Sequence, residues 1–208
     1  MSARTDVPAS GAGEFVRPTG ARSDRIHQAI RVATAELLDE GGFPAATMDA
    51  IAARSGASKA TLYKHWPSRT AVAAEAFGTT MAEALPLPDT GSTAGDLTEQ
   101  VVRVSSFYAS PRGEVFAQLL AACVEDAMGA AYFREYFLSG RRAAITELWQ
   151  RGVDRGDADA DTAIDDVIDI LFGPLIFRRM TGHYALTEEH ARQLATTALR
   201  GLLPNTTS

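Results

Sequence analysis

The side chains whose chemistry is most informative lie close together, in the stretch from Gly56 to Arg69. A segment within it combines two lysines with a hydroxyl, a tyrosine ring and a small methyl side chain: Lys59, Ala60, Thr61, Tyr63 and Lys64. Cations and hydroxyls suit phosphate oxygens, whereas a methyl group and a phenol suit thymine methyls and base edges. Leu62 and Trp66 are four residues apart, so both can face inward on one helix. The pattern is typical of a helix that lies in the major groove of DNA.

Two short helices and the turn between them must position this surface. Thr47 is a good N-cap for a helix over 48–55, and Ser58 is a good N-cap for the helix that starts at Lys59. Gly56 between them suits the left-handed conformation that ends a helix. Two short helices joined by a tight, glycine-containing turn predict a helix-turn-helix.

The rest of the chain has helical periodicity and no period-two alternation, which predicts an all-α fold of about nine helices. The first helix is predicted from the spacing of Ile26, Ile30, Ala33 and Leu37, and it should end at 39–42. Beyond the helix-turn-helix, we predict helices over 68–85, 94–109, 113–128, 131–155, 162–181 and 188–203. Asp161 is a candidate N-cap for the penultimate helix.

Composition and charge narrow the function classes. The chain has 208 residues, one cysteine and a net charge of -6. Residues 1–70 carry a net charge of +2 and the remainder -8, which suggests one anion-binding part and one part with a different role. No apolar run is long enough for a transmembrane helix, and residues 1–15 do not read as a secretory signal. The lone Cys123 and these absences favour a reducing, cytoplasmic location.

Enzyme motifs are missing from the sequence. It contains no nucleophile elbow, phosphate loop or dinucleotide fingerprint. The aspartates over 154–169 lack the glycine and the terminal glutamate of a calcium loop, and the histidines lack zinc-site spacing. We therefore expect no catalytic site, no metal and no cofactor.

The helix-turn-helix region of the sequence resembles a known family. Gly56–Val72 (GASKATLYKHWPSRTAV) looks like the DNA-binding signature of the tetracycline-repressor (TetR-like) family. Thr47–Ala52 looks like the preceding helix of that family, and Ile30–Phe43 like its first. The resemblance implies an N-terminal three-helix DNA-binding domain over 22–68 and a C-terminal helical domain for ligand binding and dimerisation over 69–208. A polar segment over 1–21 is predicted to be a disordered arm.

The resemblance also implies roles for individual side chains. Thr47 would bind a phosphate at the start of its helix, where the dipole favours anions. Lys59, Ala60 and Tyr63 would lie nearest the bases. The full set of predicted DNA contacts, including Arg22 near the end of the arm, is Arg22, Thr47, Ser58, Lys59, Ala60, Thr61, Tyr63, Lys64, His65 and Arg69.

Dimerisation follows from the geometry of DNA, because two recognition helices must reach successive turns of the major groove. In the family the last two helices pair with their twins, and apolar stripes on the last two predicted helices are compatible with this. The predicted interface residues are Ile164, Ile168, Leu171, Leu175, Leu194, Ala198 and Leu202. The alternative is that these stripes face only their own subunit.

The middle helices hold many large apolar residues, most of which must be core. The family usually opens a ligand pocket among them, and a mostly apolar pocket would suit a hydrophobic effector. The pocket candidates are Phe107, Leu120, Cys123, Trp149 and Phe172.

These observations lead to one predicted function and two alternatives. The predicted function is a homodimeric, sequence-specific transcriptional regulator, a repressor that a small hydrophobic ligand releases from a palindromic double-stranded operator. One alternative is an activator, or a regulator controlled by a partner protein instead of a small ligand. The other is a helical enzyme or carrier with a vestigial helix-turn-helix.

Overall fold

The computed structural model describes residues 19–81 and 86–203, and this part of the chain is helical without strands. Most of the predicted arm, the end of the predicted fourth helix at 82–85 and residues 204–208 lie outside the described residues. Ten α-helices and one π-helical turn are described: α1 (Ala21–Ala45), α2 (Met48–Ser55), α3 (Lys59–His65), α4 (Arg69–Met81), α5 (Thr93–Ala109), α6 (Pro111–Ala122), α7 (Ala127–Phe133), the π turn (Arg134–Leu138), α8 (Ser139–Arg155), α9 (Ile164–Thr181) and α10 (Glu188–Leu202).

The helix-turn-helix forms where the sequence predicts it. Thr47 caps α2 by accepting a hydrogen bond from the Ala50 amide at 3.1 Å, and Ser58 caps α3 by accepting one from the Thr61 amide at 3.1 Å. Each cap satisfies an amide that the first turn of a helix leaves free. Gly56 has a φ of 69°, a left-handed conformation that glycine adopts without steric cost. These three residues fix where α2 ends and α3 begins.

A buried polar cluster ties α1, α3 and α4 together. The indole of Trp66 is fully buried and donates to Glu75 Oε2 at 2.7 Å. The other carboxylate oxygen of Glu75 lies 2.5 Å from His27 Nε2, and the His27 ring stacks on Trp66 with centroids 4.3 Å apart. The prediction that Trp66 belongs to the core is confirmed. Because a buried carboxylate is costly without partners, this cluster favours one arrangement of the three helices.

The first helix ends close to the predicted place, with one further turn. Gly42 has a φ of 67°, which breaks the regular helix after Glu40, and Phe43–Ala45 form the extra turn. The amide of Phe43 donates to Gln118 Oε1 at 2.7 Å. This bond holds the end of α1 against α6.

Several helix boundaries in the C-terminal half differ from the prediction, and two of the differences concern a helix cap. The helix predicted over 113–128 stops at Ala122, because Asp126 accepts a hydrogen bond from the Gly129 amide at 2.8 Å and starts α7 instead. Cys123 therefore lies at a helix end and not inside a helix. Asp161 does not cap α9, which begins after Ala163 without a side-chain cap.

Helix α4 links the helix-turn-helix to the remaining helices through two close approaches. At Gly129 of α7, an added Cβ would lie 2.5 Å from Thr70 Cβ. At Gly78 of α4, it would lie 2.6 Å from the carbonyl carbon of Tyr136, in the π turn. Carbon atoms in contact are normally about 3.5–4.0 Å apart, so both crossings require glycine. The Thr70 side chain of α4 thus packs on the backbone of α7, and the backbone of α4 at Gly78 rests directly on the π turn.

Over residues 19–81 and 86–203, no helix is long and apolar enough to cross a membrane. Within the same ranges, no group of three or more His, Cys, Asp or Glu side chains is placed to hold a metal ion.

Candidate functional site

Helix α3 presents the surface that the sequence predicts. Leu62 is fully buried, whereas Tyr63 is more than half exposed. Lys59, Ala60 and Lys64 are also exposed, and Thr61, Ser58 and Thr47 lie at the capped ends of the two helices, with only Thr61 half-buried. The structure therefore brings eight of the predicted contact residues, counting Arg22 at the exposed start of α1, to the surface.

The two lysines of α3 have different surroundings. Lys59 Nζ lies 2.5 Å from Asp49 Oδ1 in the first turn of α2, and this hydrogen bond raises the pKa of the lysine. Lys64 makes no ion pair with any residue in the described ranges. Exposed ion pairs contribute little to stability, so DNA can exchange the Lys59 pair for a phosphate or base contact at small cost. Lys64 is available for a phosphate directly.

The predicted DNA contact of His65 is wrong. Its side chain is only 3% exposed, and its ring packs near those of His27 and Trp66 with centroids 5.6 Å away in each case. The cause is helical geometry, because His65 lies three residues after Leu62 and shares its inward face. His65 is a core residue of the helix-turn-helix.

Arg69 has a structural role that the sequence does not predict, and its predicted phosphate contact stays a prediction. Its guanidinium donates to the carbonyl oxygen of Ala46 at 3.0 Å and to that of Phe43, and it lies 3.9 Å from the centre of the Phe43 ring. Phe43 lies in the last turn of α1, where its carbonyl also accepts from the Ala46 amide at 3.2 Å, and Ala46 is the residue that follows the helix. Partial burial lowers the pKa of the guanidinium. Arg69 thus fastens the start of α4 to the end of α1.

A second feature is a cavity of about 570 Å³ among α5, the π turn, α8 and α9. Two predicted pocket residues, Phe107 and Phe172, line it. Its walls also include Gln100, Tyr108, Phe137 and Arg141, which sequence reasoning missed. The volume falls within the usual range for small-molecule sites, about 300–1,000 Å³.

The other three pocket candidates do not line this cavity. Trp149 is buried elsewhere, and its indole donates to the carbonyl oxygen of Asp159 at 3.1 Å. Leu120 on α6 and Cys123 after it are half-buried and pack against the core. Burial raises the pKa of the Cys123 thiol, which disfavours the reactive thiolate.

Two models of known protein families match this chain. Residues 30–76 match the model of the bacterial regulatory proteins of the tetR family, and residues 87–198 match the model of a tetracyclin repressor-like C-terminal domain. The second match alone spans more than half of the chain.

The chain belongs to the tetR family.

Individual relatives agree with this assignment. The chain is 33% identical over 181 residues to the uncharacterized HTH-type transcriptional regulator YdeS of Bacillus subtilis (strain 168), covering 87% of this chain and 91% of YdeS. The crystal structure of the TetR family transcription regulator SCO0332 superposes with a TM-score of 0.73 at 28% identity, covering 86% of this chain and all of that one. The transcriptional regulator FadR from Bacillus subtilis, solved in complex with stearoyl-CoA, shares the fold at a TM-score of 0.56 and 14% identity, covering 85% and 99% of the two chains.

As a tetR-family protein, the chain is a DNA-binding transcription regulator and not an enzyme. The α2–α3 pair lies within the part of the chain that the tetR-family DNA-binding model matches. The prediction of a helix-turn-helix regulator is confirmed.

Most residues predicted for the dimer interface of this tetR-family chain face the interior of their own subunit. Leu171 and Leu175 are fully buried inside their own subunit, so their predicted place in an interface is wrong. Ile168 lines the cavity. Four others are half-buried and pack against their own core: Ile164, Leu194, Ala198 and Leu202.

A different face of α9 is exposed and apolar. We name it the α9 face; it comprises Ile170, Phe177 and Met180, which are 44%, 61% and 43% exposed. These residues follow one another at i, i+7 and i+10, so they lie on one side of the helix. The sequence pattern could not separate this side from the inward one, because α9 carries apolar residues on both.

Proposed function

We propose that the protein is a homodimeric repressor that a small, hydrophobic ligand releases from a palindromic operator. The observation that carries the proposal is the continuous path from the cavity to the DNA-reading helix. Phe137 of the π turn lines the cavity, and the adjacent Tyr136 lies against Gly78 of α4. The start of α4 is fastened to α1 through Arg69, next to α2 and α3.

This path gives the ligand a physical means of action. A ligand shifts an equilibrium only by its different affinity for two arrangements of the protein. Filling the cavity favours the arrangement of the π turn that best accommodates the ligand. Since α4 rests on the π turn at a backbone-to-backbone contact, a displacement there changes the direction of α4 and of the helices it carries. The spacing of two recognition helices then no longer matches the groove.

Dimerisation through the α9 face supports the same mechanism. Two recognition helices about one helical turn of DNA apart require two subunits in fixed relation. An exposed apolar stripe with a phenylalanine at its centre is the kind of surface that a symmetric interface buries. We keep the predicted division into residues 22–68 for DNA binding and 69–208 for ligand binding and dimerisation, and the prediction that this regulator acts in the cytoplasm.

The dimer proposal is tested by two matched substitutions. Phe177→Arg places a charge in the centre of the α9 face and should convert the protein to a monomer in analytical ultracentrifugation. Val124→Arg places the same charge on an 85% exposed apolar residue between α6 and α7, and should leave a dimer. A Phe177→Arg protein that remains dimeric would show that the interface lies elsewhere.

DNA binding is tested by fluorescence anisotropy with DNA from upstream of the protein's own gene, over a salt series, against scrambled DNA. Specific binding should involve two subunits per site and weaken steeply with salt. Lys64→Ala should reduce the slope of log K against log salt by about two per dimer, since each lost phosphate contact removes roughly one unit. Arg103→Ala, at an exposed position of α5, should leave the slope unchanged. Equal affinity for scrambled DNA would contradict a specific operator upstream of the protein's own gene. A reporter assay then distinguishes repression from activation of transcription.

A further inference from the structure

Arg141 is the least exposed of the three arginines that line the cavity. It is half-buried on α8, and its guanidinium carbon lies 5.2 Å from the centre of the Phe137 ring and 5.6 Å from that of Phe107. Within the described residues, Arg141 forms no ion pair and no hydrogen bond. A guanidinium has five donors, and partly buried cations are normally paired with an anion.

Neighbouring polar groups in the cavity wall also lack partners. Gln100 is 7% exposed and Tyr108 is 5% exposed, and neither side chain donates or accepts a hydrogen bond among the residues that the structure describes. Burial raises the pKa of Tyr108, and the charge of Arg141 acts on the same phenol in the opposite direction. Tyr108 is therefore a neutral donor close to Arg141. Burial in turn lowers the pKa of Arg141.

Carboxylates at the cavity do not neutralise this cation. Asp165 lines the cavity, but it forms an ion pair with Arg142. Asp169 is exposed at the mouth, as is Arg134. The rim is thus mixed in charge, whereas the interior combines aromatic rings with one cation and neutral polar groups.

We propose that the ligand of this cavity is an aromatic anion whose acidic group is bound by Arg141, with Tyr108 and Gln100 as further donors. The inference rests on the proposed release by a ligand and specifies the ligand's chemistry. Arginine binds planar carboxylates and other oxyanions through paired hydrogen bonds, which are strongest where water is excluded. The rings of Phe107, Phe137 and Phe172 provide faces and edges for an aromatic body. A neutral hydrocarbon would leave the three polar groups unpaired.

The test compares two fluorescent probes that differ by one acidic group. The anionic probe is 8-anilinonaphthalene-1-sulfonate, and the neutral one is N-phenyl-1-naphthylamine, which lacks the sulfonate. Dissociation constants are measured for the full-length protein and for Arg141→Met. We expect the substitution to weaken the anionic probe by about ten- to 100-fold, the loss of a hydrogen-bonded charge. The neutral probe should change less than about threefold, since it makes no such bond.

Three variants serve as controls. Arg134→Met removes an exposed arginine from the rim and should change neither probe by more than about threefold, since exposed charges contribute little. Arg141→Lys keeps the charge and should retain part of the affinity for the anion. Val104→Trp fills the cavity and should abolish the binding of both probes, which excludes binding at the α9 face.

The outcomes separate this inference from the proposed function. Equal weakening of both probes in Arg141→Met, or no weakening of either, would overturn the anion site and leave release by a neutral ligand intact. Binding of neither probe to the unaltered protein would overturn both the anion site and the ligand cavity. A selective loss of affinity for the anionic probe supports the anion site even if the probe-bound protein stays on DNA. Retention of the probe-bound protein on DNA would count only against the proposed release from the operator. Displacement of the sulfonate by 2-naphthoate but not by 2-naphthamide would extend the result to carboxylates.

Discussion

The contact between Gly78 and the π turn makes a quantitative prediction about stability. In Gly78→Ala, the new Cβ would lie 2.6 Å from the carbonyl carbon of Tyr136 and 2.9 Å from its Cβ. Carbon atoms need about 3.5 Å, so the π turn must move by roughly 1 Å. Overpacking costs about 1–3 kcal/mol, and the upper end applies because backbone cannot rotate away. Alanine regains about 1 kcal/mol of helix propensity, which leaves a net loss of about 2 kcal/mol.

The assay is thermal unfolding at fixed protein concentration, with Gly140→Ala as the matched control. Gly140 lies in α8, and an added Cβ would have no atom within 4 Å. This control should gain up to about 1 kcal/mol from propensity alone. In a chain of this size about 1 kcal/mol corresponds to roughly 2–4 °C in Tm, so Gly78→Ala should melt about 4–8 °C below the unaltered protein.

Comparing the two alanine variants shows whether steric overlap or helix propensity dominates the change in stability at Gly78. If Gly78→Ala gained stability as Gly140→Ala does, the close approach of α4 and the π turn would be refuted. The proposed route from the cavity to α4 would fall with it.

Three further predictions concern buried or hydrogen-bonded side chains. Trp66→Phe removes the indole donor to Glu75 and should lower the free energy of unfolding by about 1–3 kcal/mol in urea titration; an unchanged midpoint would contradict the role of this bond. Because burial raises the pKa of the Cys123 thiol, its alkylation by iodoacetamide should become half-maximal at a higher pH than that of a free cysteine; a lower pH would refute this. Burial opposes ionisation of Asp157, but hydrogen bonds from Thr93 together with the charge and a hydrogen bond of Arg155 outweigh it and lower the pKa of the carboxyl. The stability that ionised Asp157 adds is fully present above the pKa of this carboxyl in the unfolded state. It is lost as the pH falls through the lower pKa of the folded state. The Tm difference between the unaltered protein and Asp157→Asn should therefore shrink from pH 7 to pH 3, and a constant difference would refute the argument.

Local signals in the sequence were sufficient for the helix-turn-helix. Thr47, Gly56 and Ser58 act within three residues of their own positions, so their types alone predict where the helices start and stop. The core role of Trp66 followed from its spacing to Leu62. Such information does not depend on how distant parts of the chain pack.

The sequence was least informative where tertiary packing decides the role of a side chain. His65 and Arg69 are polar and follow the motif directly, yet one packs against α1 and the other binds the carbonyls at its end. Neither partner is visible in the local pattern. The early end of α6 came from the cap that Asp126 provides, a signal that was present in the sequence and was missed.

The cavity was the least predictable feature, although one sign of it exists. Phe137, Arg141 and Ile145 recur at four-residue spacing, and all three line the cavity. An arginine in the middle of an otherwise apolar helical stripe indicates a cation held against apolar surface. The sequence cannot show that the space in front of it is empty, because an apolar stripe that lines a cavity has the same pattern as one that lines a core.

The π turn has a consequence for comparing this protein with its relatives. A turn with i→i+5 bonding accommodates one more residue than a regular α-helical turn, and each residue rotates a helix by about 100°. A relative that lacks this extra residue would present a different side of α8 to the cavity, with Arg141 turned out of it. The proposed ligand chemistry therefore extends only to tetR-family proteins whose sequences align without a gap across 134–138. A deletion of one residue there would change the side chains that line the cavity while leaving helix α3 intact.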